Sequence, residues 1–133
     1  MDIHQFLRLP HRFRWGGVDG DDCTTWCATW AAHLAGIDPA EGLRGTYRDR
    51  EGAYALLDAA GGLVPFMDGH LRRIGFVPTD NPKDGDIGAV MAPVGLDEEK
   101  LVGAIRFGPL WAVLSPAGVM AKALSFQKAW TLK

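Results

Sequence analysis

Cys23 follows two aspartates in the stretch "WGGVDGDDCTTW" and opens a run in which Cys23, Cys27, Trp30 and Leu34 recur at helical spacing. That period predicts a helix over 23–35, with Asp22 as its cap and Gly36 as its stop. A helix amino terminus is where a thiol gains reactivity, because the first-turn N–H groups and the macrodipole favour the nucleophilic thiolate. Gly16 and Gly17 can bring backbone close to a ligand and leave the helix tip accessible. Asp21 and Asp22 act the other way, since a neighbouring carboxylate raises a thiol's pKa. Two readings of Cys23 therefore stand side by side: a nucleophile at an open helix tip, or a small buried hydrophobe on an aromatic-rich helix. Cys27, one turn further in, reads as core.

A nucleophile needs a base. The sequence holds four histidines and none follows residue 70. His33 lies on the same helix, about 15 Å from Cys23 at about 1.5 Å per residue, and is out of reach. His70, in "MDGHLRRIGF", is a candidate base if its helix faces the cleft, and otherwise a surface or capping residue. His4 and His11 belong to the amino-terminal arm, from which His11 could fold over the cleft. A metal site built on Cys23, Cys27 and His33 lacks a fourth ligand and a second cysteine or histidine pair, so neither a metal nor another cofactor is expected. A disulfide within one helical turn would distort the helix.

The elements that must position these groups follow from composition and period. A chain of 133 residues, 47% hydrophobic, reads as one domain spanning 1–133. Its formal net charge of -2, with no lysine or arginine run, argues against a nucleic-acid surface. No run reaches the roughly 18 to 20 apolar residues of a membrane span. With no signal-peptide pattern and only two cysteines, a soluble chain in a reducing interior is expected. Residues 1–14 form an arm or short helix, and residues 15–75 a helical half carrying the cysteine motif. Further helices are expected at 51–60 and 64–74, stopped by Gly61-Gly62 and Gly75. Beyond "FVPTDNPKDGD", the runs "IGAVMA", "LVGAIRF", "LWAVLS" and "KAWTLK" read as strands of an antiparallel sheet over 76–133. The class is α+β, with amino-terminal helices packed on a carboxyl-terminal antiparallel sheet. Asp38-Pro39 makes a turn, and Arg44, Gly45 and Tyr47 anchor the loop after it. Most of the five tryptophans should be core, while Trp15 and Trp111, beside the loop and strand that border the cleft, line a ligand groove.

The stretch Trp15 to Trp26 resembles the nucleophile motif of the NlpC-type cell-wall cysteine peptidases, in which a Trp-Gly-Gly loop leads to Asp-Cys-Ser/Thr-x-aromatic at a helix start. "NPKDGDIGAV" resembles that family's Pro-x-x-Gly-Asp turn, and "LVGAIRFGPLWAVLS" the strand pair after it. The resemblance implies a compact papain-like fold, a cysteine nucleophile at Cys23, a histidine base, and peptide bonds of peptidoglycan stems as substrate. The family's histidine opens a His-x-Gly-φ-φ strand, with φ apolar, and the matching run here is Leu101-Val102-Gly103-Ala104-Ile105. Leucine stands where the base should be. Residues 22–47, the "GF…GDIG" centre and Ala129-Trp130 further resemble a phage and prophage branch encoded among tail-assembly genes. The expectation is a degenerate domain that serves as a tail component or accessory. It would be made in the bacterial cytoplasm, carried in the virion tail, and bind tail proteins or cell-wall peptides around Trp15, Gly16, Gly17, Asp22 and Trp111. The alternative is a working peptidase with Cys23 as nucleophile and a base supplied unconventionally, for example by His70.

Overall fold

The computed structural model describes residues 1–93 and 98–133. In chain order the elements are α1 (Ile3–Leu7), α2 (Cys23–Ala35), α3 (Arg50–Ala59), α4 (Leu63–Arg72), β1 (Phe76–Pro78), β2 (Ile87–Pro93), β3 (Glu99–Phe107), β4 (Leu110–Ser115), β5 (Gly118–Lys122) and β6 (Phe126–Leu132). The arm supplies α1, whose Asp2 and Gln5 cap each other's backbone while Ile3 and Phe6 are buried. Asp22 caps α2, and Gly36 closes it in the left-handed conformation at φ 78. α3 and α4 lie within two residues of their expected limits, parted by Gly61 and Gly62 at φ 93 and 118. No helix among the described residues is long and apolar enough to cross a membrane.

The α+β class holds, with all strands in one antiparallel sheet of order β1-β6-β2-β3-β4-β5. The carboxyl-terminal strand thus returns to lie between β1 and β2. β1 and β5 are additions to the strands expected from sequence, and β6 begins at Phe126 rather than Lys128. One buried cluster joins Trp26 and Trp30 of α2 and Met67 of α4 to Ile87, Ile105 and Trp130 of the sheet. Residues of the opposite alternation, Val90, Ala104, Trp111, Val113 and Ala129, form a second. Gly88 is required there, because a Cβ on it would come within 2.6 Å of the Trp111 ring.

Two glycines let α2 approach the sheet closely. Gly85, at φ 87, lies beneath the Trp30 ring, and its carbonyl accepts from Trp30 Nε1 at 2.7 Å. Gly103 of β3 faces the first turn of α2, where a Cβ would sit 3.1 Å from Cys27 Sγ and 3.2 Å from the Cys23 carbonyl oxygen. Glycine in the "LVGAI" run therefore lets the helix tip press onto β3.

Candidate functional site

The loop before α2 is built around two charged side chains. Asp22 is 2% exposed. Its Oδ1 accepts from the Thr24 and Thr25 N–H groups at 3.0 and 2.9 Å, and its Oδ2 from the Gly16 N–H at 3.3 Å and from the Tyr47 hydroxyl. Burial first, and the Asp22 charge second, raise the Tyr47 pKa, so this phenol is a fixed donor and not a base. Arg44 spans the loop, the helix and the following turn. It donates to Asp21 Oδ1 and the Gly17 carbonyl at 2.9 Å, to Asp38 Oδ2 at 2.8 Å and to Thr29 Oγ1 at 3.1 Å. Burial disfavours its charge, but the bonds to Asp38 and Asp21 outweigh that and hold its pKa above the ordinary value. Gly17, at φ 71, leaves room for Arg44, whose Nη1 would lie 2.8 Å from an added Cβ, and Gly16 does the same for the Tyr47 carbonyl. The close approach that these glycines permit is thus to the chain's own Arg44 and Tyr47.

Cys23, half-buried, lies on the other side of the helix tip. It borders a groove of about 510 Å³ walled by Trp15 and Tyr47, by Tyr54, Leu56 and Leu57 of α3, by Leu101 and Val102 of β3, and by Val113, Leu114 and Met120 beyond. None of the α3 residues is fully buried; Tyr54, Leu56 and Leu57 line the groove, and Leu57 also packs against the first core cluster. Lys100 bridges the mouth, its Nζ donating to the Tyr54 hydroxyl at 3.3 Å and lying 4.5 Å from the ring centroid. The Cys23 sulfur has the Thr24 hydroxyl 3.9 Å away. Burial, then the Asp22 charge, push its pKa up to about 11, with Thr24 and the Gly103 N–H offsetting part of this. The amino-terminal dipole is already satisfied by Asp22, so the thiol gains little from its position. Cys27 is 2% exposed, and burial raises its pKa well above the ordinary value.

The histidines are held elsewhere. His11 is pinned between two partners, its Nδ1 accepting from Trp26 Nε1 at 3.2 Å and its Nε2 lying 2.7 Å from the Phe6 carbonyl oxygen. His33 stacks on Trp30 and reaches the Met1 carbonyl, and His4 lies 3.7 Å from Asp84. His70 lines a cavity of about 40 Å³ on the Cys27 side of α2, and is absent from the groove that Cys23 borders. Burial and then Arg73 lower its pKa. Of the residues singled out from sequence, Trp15, Asp22 and Cys23 meet at the groove. Gly16 and Gly17 lie behind it as supports for the loop. Trp111 is fully buried over Gly88 in the second cluster and lines no part of the groove. A tryptophan alternates with its strand neighbours between two faces, and the sequence does not say which face meets the helices.

This single arrangement extends over nearly the whole chain, and so does the family match. A family described as a domain of unknown function, DUF6950, matches residues 5–132. The chain belongs to that family. No curated protein and no solved structure matches it. Arg44, Gly45 and Tyr47 of the DUF6950 domain anchor the loop as their types suggested, whereas the groove-lining face of α3, the Lys100–Tyr54 bridge and the choice of Asp21 and Asp38 as partners of Arg44 were not read from the sequence. The amphipathic period of "REGAYALLDA" was a usable signal for the first. No spacing rule links the partners of the other two.

Proposed function

We propose that this protein is a non-hydrolytic, papain-like domain of the NlpC type that holds a peptide in the groove beside Cys23, as a component or accessory of a phage tail. The observation that carries the reading is that Cys23 and Leu101 both line this groove, with leucine at the strand position where the resemblance calls for an imidazole. A thiol with a pKa of about 11 is almost wholly protonated at pH 7, with a thiolate share of about 10⁻⁴. Loss of the general base, which is also the acid for the leaving amine, removes a further factor of about 10²–10⁴. What remains is a shaped, mostly apolar groove with polar groups at its mouth, suited to holding a chain. Synthesis in the bacterial cytoplasm, transfer to the virion tail, and tail proteins or cell-wall peptides as ligands follow from the resemblance of residues 22–47 to the phage branch.

The test is to mix the purified protein with a synthetic cell-wall stem tetrapeptide and, separately, with purified proteins of a phage tail. Binding is followed by calorimetry and hydrolysis by mass spectrometry. Binding without hydrolysis is expected, lost on filling the groove by Ala53→Trp and kept in Cys23→Ala. Hydrolysis that disappears in Cys23→Ala would replace this reading with that of a working cysteine peptidase. Absence of binding to every probe would remove it.

A further inference from the structure

β3 and β4 part company inside the groove. Their pairing covers Ile105 with Ala112, Arg106 with Trp111 and Phe107 with Leu110, and goes no further. β3 nevertheless continues back to Glu99, paired with β2 along its other side as far as Pro93. β4 likewise runs on to Ser115, paired there with β5 alone. The backbone of Arg106 faces the β2 side, its N–H donating to the Asp86 carbonyl at 2.8 Å and its carbonyl accepting from Gly85 at 2.9 Å. Successive residues of a strand point their N–H and C=O groups to opposite sides, so those of Ile105, Gly103 and Leu101 face the β4 side. Ile105 finds Ala112 there. Gly103 turns its N–H toward Cys23. Leu101 has no strand opposite it among the described residues, and its side chain and both neighbours line the groove.

We infer that this free stretch of β3 is a strand-addition site, and that its ligand is an extended segment of a protein partner with apolar residues at alternate positions. This rests on the peptide-binding reading above and decides between its two ligands. An unpaired strand edge offers backbone donors and acceptors at a fixed rise of about 3.3 Å per residue, which an α-linked chain of L-residues matches. A cell-wall stem peptide contains D-residues and a side-chain amide linkage, and both break that repeat. Alternate side chains of an added strand point into the groove, toward Leu56, Leu57, Val113 and Met120, which supply the apolar contact. The residues of this stretch line the groove, so an added strand reaches them there.

The probe is a pool of synthetic L-heptapeptides with Val, Ile or Leu at alternate positions, set against the stem tetrapeptide. A retained heptapeptide is then N-methylated one residue at a time. The expected result is a period of two: methylation at alternate residues weakens binding about tenfold or more, and methylation between them does not. Leu101→Pro removes the inward-facing N–H without touching the β2 ladder and weakens binding similarly, whereas Leu101→Ala retains it. If Leu101→Pro fails to fold, the methylation series on the unaltered protein decides alone. Uniform sensitivity to methylation, or retention of the stem peptide with no heptapeptide bound, overturns the inference and leaves the peptide-binding reading in place. Failure of both probes overturns both.

Discussion

On the loop side of the α2 amino terminus, the Asp22 carboxylate takes up the two first-turn N–H groups, the Gly16 N–H and the Tyr47 hydroxyl, and Arg44 ties Asp21 to Asp38. On the groove side, Cys23 meets the Thr24 hydroxyl and the Gly103 N–H, shares the groove lining with Leu101, and lies across from a helix with no buried residue. The same helix end is therefore saturated with hydrogen bonds on one side and open on the other. Motif residues that resemble a nucleophile loop are here mostly engaged in holding that loop to the rest of the chain. The dipole that would ionise a thiol is spent on a cap. Stability should reside on the loop side and ligand contact on the groove side, and substitutions that separate the two test this division.

The largest effect is expected at Arg44. Its side chain is 20% exposed and those of Asp21 and Asp38 are 13% and 27% exposed, so removing the cation leaves two poorly solvated carboxylates together. Arg44→Met should cost about 3 kcal/mol, the lower end of the range for breaking a buried ion cluster, read as a shift of the urea midpoint. Arg44→Lys should recover little of it, because an ammonium cannot reach at once the Asp21, Asp38, Thr29 and Gly17 oxygens that the guanidinium holds. A variant of wild-type stability would mean that the cluster contributes nothing net. Next comes Tyr47→Phe, which deprives buried Asp22 of one of its donors and should cost about 1–3 kcal/mol. Since Tyr47 also lines the groove, peptide binding by the folded variant separates the two roles. Retained affinity with lowered stability places Tyr47 with the loop.

α2 was legible in full because three independent signals agreed on it: the apolar period, Asp22 before it and Gly36 after it. β2, β3 and β4 were legible as apolar runs between turns. β1 was missed because it has only three residues and ends in Pro78, and β5 because "GVMAK" is largely exposed and carries no alternation. The Ser-Pro-Ala-Gly run at 115–118, whose ends pair across it and whose Gly118 lies at φ 115, was the available turn signal. The place of β6 between β1 and β2 was not legible, since strand order is set by which edges find each other after collapse. At the site, the leucine at 101 and the remoteness of His33 could be read from spacing. The pinning of His11, the far side chosen by His70 and the burial of Trp111 depend on which face each element turns inward, and residue types alone do not state that.

A smaller effect, confined to the groove, is expected from Leu101→His. An imidazole on β3 at this position would share the groove with the Cys23 sulfur, favour the thiolate by ion pairing and lower the thiol pKa. Alkylation of Cys23 by iodoacetamide at pH 7 should then accelerate about tenfold or more, with Cys27 shielded in the core at 2% exposure. Acceleration would show that an imidazole at this position is enough to make the thiol reactive. An unchanged rate would show that burial and Asp22 dominate even with a base at hand.

The smallest effect is that of Cys23 itself on stability. Replacing a half-buried thiol by Cys23→Ala removes few contacts and should cost no more than about 1 kcal/mol at pH 7. Its pH dependence carries more information than its size. Cys23 is raised from an ordinary value of 9.0 to about 11, so the folded chain keeps this proton where the unfolded chain has lost it. Its contribution is fully present below pH 9 and is lost as pH rises toward 11, because stability falls with pH wherever the folded state binds more protons. The difference in unfolding midpoint between wild type and Cys23→Ala should therefore be flat up to pH 9 and then shift in favour of the alanine variant. Both proteins carry Cys27→Ser in this comparison, because the Cys23 charge raises the Cys27 pKa and that thiol would otherwise titrate differently in the two. A difference that instead changes near pH 7 would place a stabilised thiolate in the groove, and the helix tip would then resemble its loop side after all.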